Sequence, residues 1–264
     1  MFNVIVIKFG GHAMSDEHGE FAQSIAAAIS SGVSPVVVHG GGPQINLALK
    51  EAGIESHFIG GFRVTDAPTF DVVEKVLVDE VGPAVATSLR SQGVEALAMS
   101  GRTSGVLIAK QQRTLVDGTT ADLGLVGEII GVDPGAIISA VSTGKVPVIS
   151  PIACDSTGTI GYNVNADIAA AAIAGALDAE WLIIMTDVAG IYRNWPDKNS
   201  IISSITASEL SDIKATFAEG MAPKVQACLD AIAAGAKAVR IIDGTDPSAL
   251  KSALLGQGGT LVMA

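Results

Sequence analysis

Along this chain, short runs of apolar, largely β-branched residues alternate with longer stretches in which apolar positions recur every three or four residues. Val4 to Phe9 is the first run; an amphipathic stretch from about Glu17 to Ser30 follows, then Pro35 to His39, then a second amphipathic stretch from about Pro43 to Glu51. A short apolar run between turn signals predicts a buried strand, and a period near 3.6 residues predicts a helix. Their alternation predicts an α/β fold: a three-layer αβα sandwich with a mostly parallel central sheet covered by helices on both faces.

The same pattern continues to the C-terminal end. Pro68, after Ala67, marks the first turn of a longer helix reaching about Ser91, and strands near Ala96 to Met99 and Val106 to Lys110 come next. Asp117-Gly118 is a turn signal in a hairpin excursion that ends near Ile130, and Val146 to Ser150 predicts another buried strand. A turn-rich loop from Asp155 to Gly161 precedes a helix that starts around Asp167 and runs to about Leu177. Trp181 to Met185 predicts a strand with the loop Thr186 to Gly190 at its carboxyl end, and the polar stretch Arg193 to Asn199 leads to a short helix from about Ser208. Pro223 opens a helix to Ala234; a strand from Val239 to Ile242, a helix near Pro247 to Leu254 and a strand from Thr260 to Met263 complete the series. No internal repeat or low-complexity linker interrupts it, so two lobes, residues 1–154 and 155–264, are expected to share one continuous sheet.

Composition narrows the partners. The 264 residues are 48% hydrophobic and carry a formal net charge of −11, which supports a sizeable core and argues against a nucleic-acid or anionic-membrane surface. An anionic ligand must therefore be held by local lysines, arginines, backbone amides and helix ends. No segment has the roughly 20 uninterrupted apolar residues of a membrane span, and Met1-Phe2-Asn3-Val4 carries no basic leader, so a cytoplasmic location is expected. Cys154 and Cys228 lie far apart and read as buried thiols of a reducing compartment, with a disulfide left open.

Two lysines stand where a cation is costly. Lys8 ends the first strand before Gly10-Gly11, and Lys224 follows Pro223 at the positive end of a helix; a bound polyphosphate would favour both. Taken singly, each also fits a side chain reaching to solvent. Two predicted strands end in glycine clusters, Gly10-Gly11 and Gly40-Gly41-Gly42, where backbone amides can approach an anion closely; neither matches the dinucleotide or P-loop fingerprint. Asn163, Asn165 and Asp167 cluster at a helix start, where Asn165 fits a cap and the partly enclosed Asp167 wants a cationic partner such as Lys8 or Lys224. Asp187 ends a strand, where open α/β sheets bind ligands. Arg63 could hold a carboxylate with both arms of its fork, or pair with Asp66 or another local acid. Arg102 is open to either role, and His12, His18, His39 and His57 show no metal-ligand spacing.

Lys8-Phe9-Gly10-Gly11-His12-Ala13-Met14, Val36-Val37-Val38-His39-Gly40-Gly41-Gly42-Pro43-Gln44-Ile45, Phe62-Arg63-Val64-Thr65-Asp66, Tyr162-Asn163-Val164-Asn165-Ala166-Asp167, Thr186-Asp187-Val188 and Gly220-Met221-Ala222-Pro223-Lys224-Val225 occur in that order. Together they resemble the motifs of N-acetyl-L-glutamate kinases in the amino acid kinase superfamily, over essentially the whole chain. The resemblance implies transfer of a phosphoryl group from ATP, with Mg2+ carried on the nucleotide phosphates, to the side-chain carboxylate of N-acetyl-L-glutamate, a step of arginine biosynthesis. It implies that Lys8 and Lys224 stabilise the group in flight and that Asp167 orients both lysines. Gly41, Gly42, Arg63 and Asn163 match amino-acid-substrate positions; Gly10 and Gly11 lie beside the phosphates; Asp187, Val188, Gly190, Ile191, Tyr192, Thr216, Phe217 and Ala218 match nucleotide-binding stretches. No resident metal ligand is implied.

The chain departs from the pattern at His12, commonly Asn, at Thr103, often acidic, and at Asp246 to Leu250, which lacks a frequent His-Ala-Leu run. The alternatives are a sister carboxylate kinase acting on a 2-aminoadipate derivative, a catalytically silent ligand-binding regulator of the same fold, and a nicotinamide-dependent dehydrogenase, which the absent G-x-G-x-x-G disfavours. Arginine-inhibited members of the resembling family form hexamers through an added N-terminal helix. This chain reaches its first strand by about Val4, so a homodimer insensitive to arginine is expected, with the helix from Pro68 to Ser91 as its contact.

Overall fold

The computed structural model describes residues 3–10, 19–115, 118–217 and 221–264, with only the backbone of Pro223. Gly11, His12, His18, Asp117 and Ala218, singled out above, lie outside the described residues. In chain order the first half contains β1 (Val4–Phe9), α1 (Glu20–Ser30), β2 (Ser34–His39), α2 (Gly42–Glu51), β3 (Phe58–Ile59), β4 (Phe62–Arg63), α3 (Ala67–Lys75), a π-helical segment (Val76–Val81), α4 (Gly82–Ser91), β5 (Ala96–Ser100), β6 (Leu107–Gln111), β7 (Gly127–Val132), α5 (Gly135–Ser142) and β8 (Val146–Ser150). The second half contains β9 (Ile152–Cys154), β10 (Gly161–Asn163), α6 (Ala166–Ala176), β11 (Trp181–Thr186), β12 (Ser204–Thr206), α7 (Ala207–Ile213), α8 (Ala222–Ala233), β13 (Ala238–Asp243), α9 (Ala249–Leu254) and β14 (Thr260–Met263).

The main sheet has eight strands in the order β12-β14-β13-β11-β1-β2-β8-β5, and every neighbouring pair is parallel except β13 and β14. Strand periodicity assigns its two faces. Val4 and Val6 of β1 join the core beneath α5, α6, α7 and α8, whereas Ile5, Ile7 and Phe9 join the core beneath α1, α2, α3, α4 and α9. The expected three-layer sandwich is therefore present. Parity places Lys8 on the Val4–Val6 face, the face covered by α6 and α8.

A second sheet, in the order β10-β9-β6-β7, and the β3–β4 hairpin stand apart from the main one. β6 and β7 pair antiparallel across the expected hairpin excursion, with a bulge between Ile108 and Ala109. The β9–β10 hairpin straddles Cys154, the expected soft boundary between lobes. Both cysteines are free and buried.

Several boundaries and elements differ from the sequence expectation. The first helix is described from Glu20, after Gly19 in a left-handed conformation with φ 72°; Glu17, its expected start, lies outside the described residues. The long helix from Ala67 to Ser91 is interrupted by the π turn at Val76–Val81, which keeps the apolar face continuous and so leaves no mark in the periodicity. Helix α5 was absent from the sequence reading; its Gly-Ala-Ile-Ile-Ser-Ala-Val-Ser sequence holds β-branched residues of low helix propensity and gains its helix by packing Ile137 and Val141 on the sheet. The two- and three-residue strands β3, β9 and β12 are too short to show a period.

Candidate active site

β1 is a central strand flanked by β2 and β11, so the carboxyl ends of all three lie side by side. At that edge the two glycine turns touch: the Gly40 N–H donates to the Phe9 carbonyl at 2.7 Å, and a Cβ on Gly10 would lie 3.3 Å from the Gly40 nitrogen. The Lys8 side chain folds over Gly10, with Cε and Nζ each 3.2 Å from that Cβ position. Larger residues at either turn would separate the strands' ends or displace the lysine.

Lys8 meets its counter-charge on α6. Asn165 caps that helix through Oδ1, accepting from the N–H groups of Asp167 and Ile168, and the cap fixes Asp167 in the first turn. Asp167 is 6% exposed and its Oδ1 lies 3.1 Å from Lys8 Nζ. The approach is an ion pair without hydrogen-bond alignment, and Oδ1 has no hydrogen-bond donor among the described residues, so a second cation can be accommodated there. The expected enclosure of Asp167 beside Lys8 is thus observed.

Lys224 stands in the first turn of α8 and makes no ion pair with Asp167 among the described residues. Its neighbour one turn along is the fully buried Cys228, whose thiol is raised well above the usual range, chiefly by burial and next by the charge of Asp167. Residues four apart share a helix face, so Lys224 belongs to the face of α8 that approaches Asp167. The close packing of α6 on α8 depends on small residues; a Cβ on Gly175 would come within 2.3 Å of the Ala234 Cβ.

A cleft of about 260 Å³ is lined by the Lys8–Asp167 pair together with Asn165, Gly40, Gly41, Gly42, Arg63 and Asn163, with Ile45, Phe62, Leu77 and Val126 as apolar wall. Arg63 is 8% exposed. It donates to Ser56 Oγ and to Asn46 Oδ1, the latter at 2.7 Å, and lies over the Phe58 ring at 4.7 Å from its centroid. The alternative pairing with Asp66 is corrected: that carboxylate caps α3, accepting from the Thr69 N–H at 2.9 Å, and is held below the usual carboxylate range by the bonds to Thr69. Burial lowers the Arg63 pKa, and its partners among the described residues are neutral. Asn163 donates to Thr65 Oγ1 at 3.1 Å, and Thr65 donates to the Arg63 carbonyl, so two sequence-distant motifs are tied together.

Arg102 lies elsewhere. It pairs with Glu74 at 3.0 Å and donates to the Thr159 carbonyl, bracing α3 against the loop before β10. Asp187 follows β11, with the Thr186 hydroxyl donating to its Oδ1 at 3.1 Å, and Val188 is half-buried beside it. Gly190 and Ile191 are packed on β14: the Ile191 N–H donates to Thr260 Oγ1 at 2.8 Å, and a Cβ on Gly190 would lie 2.5 Å from the same oxygen. Tyr192 packs edge-on against Trp195. Thr216 and Phe217 lie at the end of a single 3₁₀ turn shortly before α8. None of these residues lines the Lys8–Arg63 cleft, which is one strand away. Asn46, Ser56, Thr65 and Ser150 were missed by sequence reasoning. Of these only Thr65 carried a signal, its place in the Arg63 motif.

A model of the amino acid kinase family matches residues 3–243. The chain belongs to the amino acid kinase family. It is 47% identical over 253 residues to an acetylglutamate kinase of Arthrobacter sp. (strain FB24), covering 93% of this chain and 82% of that one. A solved protein of Streptococcus mutans UA159 superposes with TM-score 0.83 at 29% identity over 100% of both chains. An N-acetylglutamate synthase from Neisseria gonorrhoeae, complexed with coenzyme A and N-acetyl-glutamate, superposes with TM-score 0.84 at 22% identity, covering 99% of this chain and 59% of the synthase, a likeness of fold alone. Among the described residues no helix is long and apolar enough to cross a membrane.

Proposed function

We propose that this amino acid kinase phosphorylates the side-chain carboxylate of N-acetyl-L-glutamate with ATP, giving N-acetyl-L-glutamyl 5-phosphate for arginine biosynthesis. The observation that carries the reading is the charge pattern of the cleft. Lys8 is balanced by Asp167, whereas Arg63 is buried against neutral partners and keeps an uncompensated charge for a carboxylate. Asp167 is the one carboxylate among the described lining residues; its ion pair with Lys8 and its open acceptor, assigned to Lys224, leave no counter-charge for the ammonium of a free amino acid, and an acylated nitrogen needs none. Apolar Phe62, Leu77 and Val126 suit the acyl methyl.

In this reading Arg63 holds the α-carboxylate and Asn163 and the amides of Gly41 and Gly42 orient the acyl amino acid. An oxygen of the side-chain carboxylate attacks the γ-phosphorus in line, the bond to the β–γ bridging oxygen breaks, and ADP leaves with the electron pair. Lys8, beside Gly10, and Lys224 neutralise the charge on the group in flight, and Asp167 sets their positions through its ion pair and unfilled acceptor. ATP enters with Mg2+ on its phosphates and is assigned to the side of Asp187, Val188, Gly190, Ile191, Tyr192, Thr216, Phe217 and Ala218, with Gly11 at the phosphates. Residues 1–154 are assigned to the acyl amino acid and residues 155–264 to the nucleotide, with Asn163 and Asp167 reaching the cleft from the second lobe.

A cytoplasmic homodimer fits the same reading. The contact is assigned to α4, the C-terminal part of the expected Pro68–Ser91 helix, and to β5 packed beside it, the outer strand of the eight-stranded sheet, which exposes Leu97. The function is tested by coupled ADP release with N-acetyl-L-glutamate, L-glutamate, L-aspartate and 2-aminoadipate as acceptors. Preference for N-acetyl-L-glutamate supports the proposal, and preference for any other acceptor refutes it.

A further inference from the structure

His39 ends β2, is wholly buried, and stands directly before the Gly40–Gly42 loop. Its Nδ1 is 2.7 Å from the Gly40 carbonyl and its Nε2 is 2.9 Å from Ser150 Oγ. A carbonyl only accepts, so Nδ1 carries the proton. In the neutral ring Nε2 is then the acceptor, and the Ser150 hydroxyl must donate to it.

That hydroxyl has a second acceptor in reach, the Leu77 carbonyl at 3.0 Å. Leu77 lies in the π turn, and its carbonyl already receives the Gly82 N–H. One hydroxyl proton faces two acceptors: given to Leu77 it leaves Oγ and Nε2 lone pairs opposed at 2.9 Å, and given to His39 it leaves Oγ opposed to the Leu77 carbonyl at 3.0 Å. That carbonyl already has the Gly82 N–H, whereas buried Nε2 has no other donor among the described residues, so the proton goes to the histidine. The cluster is packed closed by Gly82, where a Cβ would lie 3.1 Å from Nε2, 3.2 Å from the Leu77 oxygen and 3.3 Å from Ser150 Oγ. Burial pushes the His39 pKa down to about 4, so the ring is neutral at physiological pH.

The consequence lies on the other side of the peptide plane. The Gly40–Gly41 peptide is trans, so its carbonyl and N–H point in opposite directions. With the carbonyl held by His39 in the protein interior, the Gly41 N–H faces the cleft that Gly40, Gly41 and Gly42 line, and no described residue accepts from it. A run of three glycines can turn such a peptide over at little cost, so the orientation needs a fastening.

We propose that His39 is a positioning residue: held as the Nδ1–H tautomer by the Ser150 hydroxyl, it fixes the Gly40–Gly41 peptide so that the Gly41 N–H serves as a donor to the bound anion. The inference rests on the acetylglutamate kinase reading for what is assayed. His39→Asn places an amide N–H where Nδ1–H lies, whereas His39→Gln moves it to the Nε2 end and leaves the Gly40 carbonyl unheld. His39→Gln should lose about 10- to 100-fold in kcat/KM for N-acetyl-L-glutamate, with the KM for ATP within about twofold, and His39→Asn should recover most of the loss. Thermal unfolding should show both variants destabilised alike, separating positioning from folding. A nitrogen-15 NMR spectrum, with the His39 signals identified by their loss in His39→Asn, should show a protonated Nδ1 and an unprotonated Nε2. Equal activity of the two variants, activity that follows the unfolding temperature, or an Nε2–H tautomer would overturn the proposal. A wild-type protein inactive on N-acetyl-L-glutamate would overturn the functional reading instead, and the nitrogen spectrum would still decide the tautomer.

Discussion

Removing either member of the Lys8–Asp167 pair should cost more than removing both. At the 3.1 Å separation found here and an effective dielectric near 20, unit charges attract by about 5 kcal/mol, and the desolvation of both ions offsets much of that. The side chains are 13% and 8% exposed, so a stranded partner has little water to turn to. Lys8→Met or Asp167→Asn alone should therefore lower stability by about 3–5 kcal/mol, whereas the double variant, which strands neither charge, should lose less than either single variant. The two singles are not equivalent. A stranded Asp167 still enjoys the first turn of α6, worth about 0.3–1 kcal/mol, while a stranded Lys8 sits against the same positive helix end, so Asp167→Asn should be the more damaging. Turnover should fall by about 10²-fold or more for Lys8→Met, and adding Asp167→Asn should lower it little further if the carboxylate acts through the lysines. Urea unfolding and ADP release on the four proteins complete the cycle. Stability losses that simply add, or a single variant with unaltered stability, would refute the pairing argument.

Arg63→Lys should raise the KM for N-acetyl-L-glutamate by about 10-fold or more and leave that for ATP nearly unchanged, since an ammonium cannot reproduce a planar fork held by Asn46 and Ser56; a titration of each substrate decides it. His39 titrates at about 4 when folded and near 6.5 when unfolded, so its contribution to stability is full above about pH 6.5 and is lost as pH falls through 4. Urea unfolding of wild type should lose about 3 kcal/mol across that window that His39→Asn does not lose; parallel curves would contradict a buried neutral ring. Light scattering should report a dimer, and Leu97→Lys on the edge strand should shift it towards monomer.

What the sequence disclosed depended on how local the determinant was. The parallel sandwich, the glycine turns and the cap at Asn165 follow from short-range patterns, and the parity of Val4, Val6 and Lys8 sends the lysine towards the alanine-rich helix that carries Asp167. The surroundings of Arg63 were not legible in this way. The sequence offered Asp66 three residues on, but Asp66 is spent on capping α3, and Asn46 and Ser56 reach the guanidinium from elements that only the fold brings near. The π turn was also hidden, because it shifts the hydrogen bonding of Val76–Val81 without changing which residues are apolar. His39 shows the same limit: it has no spacing to a metal or nucleophile, and its meaning comes from Ser150 and Leu77, both remote in sequence.

The central claim is that the cleft accepts a carboxylate substrate whose α-nitrogen is acylated, because Arg63 offers a free cation and, among the described residues, no free anion lines the cleft. It is tested most directly by supplying N-acetyl-L-glutamate and L-glutamate in parallel with Mg-ATP and trapping the acyl phosphate as its hydroxamate. The account predicts hydroxamate from N-acetyl-L-glutamate at a kcat/KM at least about 100-fold above that for L-glutamate, the penalty of roughly 3 kcal/mol expected for burying an unpaired ammonium. Equal rates, or faster reaction of the free amino acid, would contradict it.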